Sequence, residues 1–173
     1  MSFMIISIIV ISIFGTLLHF LYDISKHNKV VGIFSAVNES TWEHIKIALT
    51  PTIIWSLVDG YIYGVNSNYF FAKLLSLLII IFVIPILYYG YKLFLKKDVA
   101  IVNILIFYIA IIVSQYMFNY LLLINEINYF YQYISCVFTY IVFGCYLLFT
   151  LMPIKNFIFK DPISNKYGFR KSI

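Results

Sequence analysis

The chain has 173 residues, 63% of them hydrophobic and only 11% charged, which leaves too little polar surface to face water on every side. A mean hydropathy of +0.96 points to a bilayer as solvent and to helices as the elements that cross it. The net charge of +5 is no nucleic-acid signal, because the basic residues fall in short loops and a tail, where they set membrane orientation.

The length allows one domain, 1–173. The first apolar run predicts a span over about 3–22. No basic residue precedes it and no small-residue cleavage site follows, so a retained span is expected rather than a signal peptide. Ser12, Thr16, His19 and Asp23 follow spacings of four, three and four and share one helix face, which is expected to turn toward other helices. The following loop is basic, with Lys26, His27 and Lys29. Its apolar patch, Val30 to Phe34, is too short to span and is expected at the interface or tucked against the bundle.

Residues 38–46, Asn38-Glu39-Ser40-Thr41-Trp42-Glu43-His44-Ile45-Lys46, are the densest polar stretch of the chain. Asn38 or Ser40 can cap a helix here, and Ser40-Thr41-Trp42-Glu43 fits a capping box, with Ser40 reaching the backbone of Glu43 and Glu43 reaching back. The helix it starts is predicted to continue as a span over about 45–63, bent at Pro51. Asp59 is expected to reach the opposite interface, and Gly60 with Gly64 fits the small-residue pattern for close helix contact. A third span, about 71–93 with Pro85 inside, has few polar features and is expected to be the most lipid-exposed. Lys92, Lys96 and Lys97 follow.

The fourth span, about 99–123, carries Asn103, Ser114, Gln115 and Asn119; the last two share a face and predict hydrogen bonds between helices. The fifth covers about 129–151. Its cysteines, Cys136 and Cys145, are separated by about 13.5 Å of helical rise, too far for a disulfide, and are expected as apolar fillers. Pro153 ends that span, and the tail 154–173 carries Lys155, Lys160, Lys166, Arg170 and Lys171. Between the spans, Asn66-Ser67-Asn68 is neutral and Asn125-Glu126-Ile127-Asn128 lacks Lys and Arg.

Basic segments therefore alternate with non-basic ones. The pattern predicts an all-α membrane protein, a bundle of five transmembrane helices with the N-terminus outside and the C-terminus cytoplasmic. The polar stretch then lies at the cytoplasmic rim. His19 sits roughly 6 Å inside the end of span one, and His44 roughly 9 Å beyond the start of the second helix, so both imidazoles fall in one layer. The candidate polar site is His19, Asp23, Asn38, Glu39, Trp42, Glu43 and His44. Each residue also has a structural reading: Glu43 with Lys46 as an ion pair, His19 bonded to Thr16 or a carbonyl, Trp42 as an interface anchor.

Three functions compete for this rim. It binds or transports a small polar solute or protons; or it holds a metal for intramembrane hydrolysis, with ligands drawn from His19, Glu39, Glu43 and His44; or it belongs to a non-catalytic subunit or scaffold. The metal reading lacks a second histidine on the Glu43-His44 helix. A haem between the two imidazoles fits only loosely, and no cofactor is assigned. The expected partner is the lipid bilayer, not nucleic acid, with a second copy or a partner subunit left open.

Leu18-His19-Phe20-Leu21-Tyr22-Asp23, then Val31 through Lys46, then Phe159-Lys160-Asp161-Pro162, resemble in this order a family of small bacterial integral membrane proteins known as domain of unknown function 6512. The resemblance implies a multi-span helical protein of the bacterial cytoplasmic membrane. It supplies no substrate, cofactor or catalytic residue.

Overall fold

A computed structural model describes residues 2–65 and 68–169. Asn66, Ser67, Arg170 and Lys171, named above, lie outside the described residues. Six α-helices follow in order: α1 Ser2–Ile24, α2 Lys29–Phe34, α3 Thr41–Tyr63, α4 Tyr69–Leu95, α5 Ala100–Leu123 and α6 Tyr129–Leu151. All except α2 are long and apolar enough to cross a membrane. In hydrocarbon no water serves the backbone, so each apolar run must satisfy its N–H and C=O groups internally, and the helix does so. The spans fall within a few residues of the expected bounds. Helix α3 begins at Thr41, directly after Ser40, so Trp42, Glu43 and His44 lie in its first turn, as the expected helix start ahead of the 45–63 span has it.

Helices α3 and α4 form the centre. The first packs on α1, α4 and α5; the second on α3, α5 and α6. Half of the apolar window of α3 is buried and 33% of that of α4, against 22% for α1 and α6. The expectation that the third span is the most lipid-exposed is thereby corrected. Its inner face, Ala72, Lys73, Ser76, Leu77, Ile80 and Ile84, has helical spacing, but a stripe of apolar residues on an apolar helix leaves no contrast to read.

Helices α1, α3 and α5 approach closely at Gly15. A Cβ there would lie 2.5 Å from Cζ of Phe107 and 2.7 Å from the Ile47 carbonyl oxygen. Pro51 has no N–H to bond that carbonyl, so α1 approaches α3 where the latter's ladder is interrupted. Of the Gly60 and Gly64 pattern only Gly60 lies inside α3, which ends at Tyr63 with Gly64 as its cap, at φ +72°. Both cysteines are free and half-buried, as expected.

The two ends of the bundle differ. At one, the Asn68 amide donates to the carbonyls of Leu121 (3.2 Å) and Ile124 (3.0 Å), tying the α3–α4 loop to the α5–α6 loop. Phe3 stacks on Trp55 at this end, 6.0 Å between rings. At the other end the tail folds back over the bundle. Phe159, 7% exposed, packs on Trp42 (5.0 Å) and Phe149 (5.7 Å). Asp161 is buried and builds a turn, accepting from the Ile163 N–H (3.1 Å) and the Ser164 hydroxyl (2.5 Å). Tyr22 meets Phe169, and Tyr89 meets Phe157, so the α1–α2 loop, the α4–α5 turn and the tail share this end.

Candidate functional site

The polar stretch divides into two sets of side chains with different partners. The first set docks α2. That helix is only six residues long, and its last carbonyls have no intrahelical donors. Lys46 Nζ donates to the Gly32 carbonyl (2.9 Å), the Tyr146 hydroxyl to that of Ile33 (2.9 Å) and the Thr50 hydroxyl to that of Phe34 (3.0 Å). The Lys46 ammonium also places positive charge at the negative end of a helix. Glu43 neutralises it at 2.6 Å and accepts the Val37 N–H at 2.9 Å. The ion pair is buried, Lys46 to 0% and Glu43 to 3% exposure.

This arrangement corrects the capping box. Ser40 is the N-cap of α3 but makes no side-chain cap bond, and Glu43 is committed to Lys46 and Val37. Asn38 takes part of the role, its side-chain oxygen accepting the Ser40 N–H (2.8 Å) while its amide donates to the Gly168 carbonyl (2.9 Å). Trp42 lies inside the aromatic cluster with the tail rather than at a free interface, and its indole N–H has no hydrogen-bond partner among the described residues. Asp23 does not join the rim. It bonds His27 at 3.1 Å, one turn on, and its side chain is 66% exposed.

The second set is His19, Glu39 and His44. Two antiparallel helices and the turn between α2 and α3 bring them together: the imidazole centroids of His19 (α1) and His44 (α3) are 6.1 Å apart. His19 Nε2 stands 3.9 Å from Oε1 of Glu39, and His44 Nε2 stands 3.9 Å from Oε2. One carboxylate thus faces two imidazoles, one with each oxygen, at separations too long for direct hydrogen bonds. His44 Nδ1 lies 3.0 Å from the Ser40 carbonyl. A carbonyl only accepts, so Nδ1 carries the proton, and in the neutral ring Nε2 presents its lone pair toward Glu39.

These three residues form part of the wall of a cavity of about 240 Å³ between α1, α3 and α5. Thr16, Asn103 and Tyr108 supply the remaining polar wall, and Ile47 and Phe107 the apolar floor. Thr16 is held by Tyr108 (3.1 Å), so part of the α1 stripe does face α5. Asn103 is fixed by Asp98 (2.7 Å) and Tyr91 (2.7 Å). Burial pushes the Asp98 carboxyl up, but hydrogen bonds from Tyr88, Lys92 and Asn103 and the Lys92 charge outweigh it and hold the group at about 2.

Among the described residues no group of three or more His, Cys, Asp or Glu side chains stands close enough to hold a metal ion. Of the four metal ligands expected, Glu43 is turned away to Lys46. A zinc ion at its ordinary ~2.1 Å from both His44 Nε2 and Glu39 Oε2 would need roughly 140° at the metal, far from tetrahedral.

Sequence reasoning missed Lys73. Asp59 does not reach the far interface; it is buried and paired with Lys73 at 2.5 Å, both side chains 1% exposed. The Lys73 ammonium also lies 3.9 Å from the Phe118 ring centre. The available signal was a lone lysine in the first turns of an apolar helix opposite a lone aspartate in the last turns of its neighbour. The Gln115 amide nitrogen makes no hydrogen bond among the described residues, whereas Asn119 bonds Tyr63 of α3; α4 and α5 are also joined by Ser76 and Ser114 at 2.7 Å.

A family of unknown function, DUF6512, matches this chain over residues 1–169. No curated protein and no solved structure matches it.

Proposed function

We propose that this chain, which belongs to the DUF6512 family of unknown function, is a single-domain multi-pass protein of the bacterial cytoplasmic membrane that binds a small ligand at its cytoplasmic rim. His19, Glu39 and His44 contact the ligand, and the other polar residues of the motif hold the site together. One observation carries this reading. Both imidazole nitrogens face the same carboxylate at 3.9 Å, in the wall of a 240 Å³ cavity. Purely structural ion pairs close to contact distance, as Glu43–Lys46 and Asp59–Lys73 do. The groups of the rim site instead stand at the spacing a bridging molecule spans.

The orientation rests on the basic residues. Lys26, Lys29, Lys96, Lys97, Lys155, Lys160 and Lys166 belong to the three segments that share one end, and the positive-inside rule makes that end cytoplasmic. Native mass spectrometry of protein released from membranes tests the binding reading. Wild type retains an adduct and Glu39→Gln loses it, while Asp23→Asn, outside the cavity, keeps it. Wild-type protein without any adduct, indistinguishable from Glu39→Gln, would refute the reading.

A further inference from the structure

The chemistry of the ligand follows from the polarity of the wall, an inference that rests on the binding reading above. His44 donates through Nδ1 to Ser40, so in the neutral ring Nε2 is an acceptor, and it faces a second acceptor, Glu39 Oε2, across 3.9 Å. A donor that bonds both at ordinary lengths of about 2.8–2.9 Å subtends roughly 90° between them, close to the spread of two N–H bonds on one nitrogen. Glu39 carries the one formal charge among the cavity-lining side chains other than histidine. An anionic head would meet that carboxylate at close range, whereas a cationic donor is attracted to it.

The mouth of the cavity gives the source. Phe20 of α1 and Ile104 of α5 both line it, and both are more than half exposed, at 56% and 53%. They stand in the apolar outer surface of two membrane-spanning helices. A ligand passing between them comes with an apolar portion beside the bilayer and its polar end against the wall. Lys96 and Lys97 are exposed on the turn that leads to Ala100 in the same wall, where a phosphate of the same molecule finds counter-charge.

We propose that the cavity receives the head of a bilayer amphiphile bearing a primary ammonium, bridged between Glu39 and His44 Nε2 and entering between α1 and α5. A quaternary ammonium has no N–H to offer and does not bridge them.

The test uses the full chain in nanodiscs of phosphatidylcholine, with and without phosphatidylethanolamine, and separately with soluble ethanolamine. The two lipids share phosphate and chains and differ in the N–H donors. Retained lipid is read by native mass spectrometry and the ring nitrogens of His44 by ¹⁵N NMR. Phosphatidylethanolamine should be retained over phosphatidylcholine, shift the Nε2 signal, and lose about 10- to 100-fold in retention in Glu39→Gln. That variant is nearly isosteric and its side chain partly exposed, and an unchanged unfolding temperature confirms its fold. Soluble ethanolamine shifting His44 as strongly, with no lipid preference, would overturn the bilayer source. Equal retention of the choline lipid would overturn the ammonium while leaving a binding site. No adduct of any kind, in wild type and variant alike, would overturn the binding reading itself.

Discussion

Replacing Lys46 with Met tests whether the motif is held by its buried clamp. The substitution keeps the length of the side chain and removes its charge and donors. It leaves the Glu43 carboxylate buried beside the Val37 N–H alone, and the Gly32 carbonyl without its donor. Breaking one side of a buried pair costs about 3–5 kcal/mol, with about 1–3 kcal/mol more for a stranded carbonyl. At about 2–4 °C per kcal/mol for a chain of this size, the pair alone corresponds to a fall of roughly 6–20 °C. Thermal unfolding in detergent, followed by intrinsic fluorescence, measures it. Glu43→Gln with Lys46→Met should recover part of the loss, because no uncompensated charge remains. Lys46→Met within about 1 kcal/mol of wild type, or a double variant as damaged as the two single losses added, would refute the reasoning.

Gly15→Ala forces a methyl group onto Phe107 and the Ile47 carbonyl; a loss of about 1–3 kcal/mol in the same unfolding assay is expected. Phe159→Ala empties the space between Trp42 and Phe149, so trypsin should cut at Lys160 and Lys166 faster than in wild type; unchanged cleavage would mean that the tail is not held there. Asp98 titrates at about 2 when folded, below its ordinary 3.8. A depressed carboxylate stabilises above the ordinary value, and its contribution is lost as pH falls through about 2. The stability difference between wild type and Asp98→Asn should therefore be full above about pH 5 and fall progressively to its low-pH limit near about pH 1.

The five spans were legible because a run of 18 or more apolar residues has one economical reading. The approach of His19 to His44 was legible from depth, since rise per residue places both in one layer. Asp23 failed the same argument because it lies one turn beyond His19, past the rim, where His27 reaches it locally. Glu43 could be read as a cap or as a partner of Lys46, and only the docking of α2 decides between them. That docking depends on three side chains, from positions 46, 50 and 146, meeting three successive carbonyls, which no local pattern encodes. Trp42 and the Phe159 block were opaque for a similar reason, the tail's return over the bundle being a contact between residues more than a hundred positions apart. Lys73 was hidden by the apolar run around it.

The central claim is that Glu39 serves both imidazoles at once. Histidine-selective ¹⁵N NMR in bilayers tests it most directly, comparing wild type with Glu39→Gln and Asp23→Asn. The account predicts that Glu39→Gln moves the ring signals of His19 and His44 together and leaves His27 in place, while Asp23→Asn moves His27 alone. Movement of only one rim imidazole, or of neither, would contradict it.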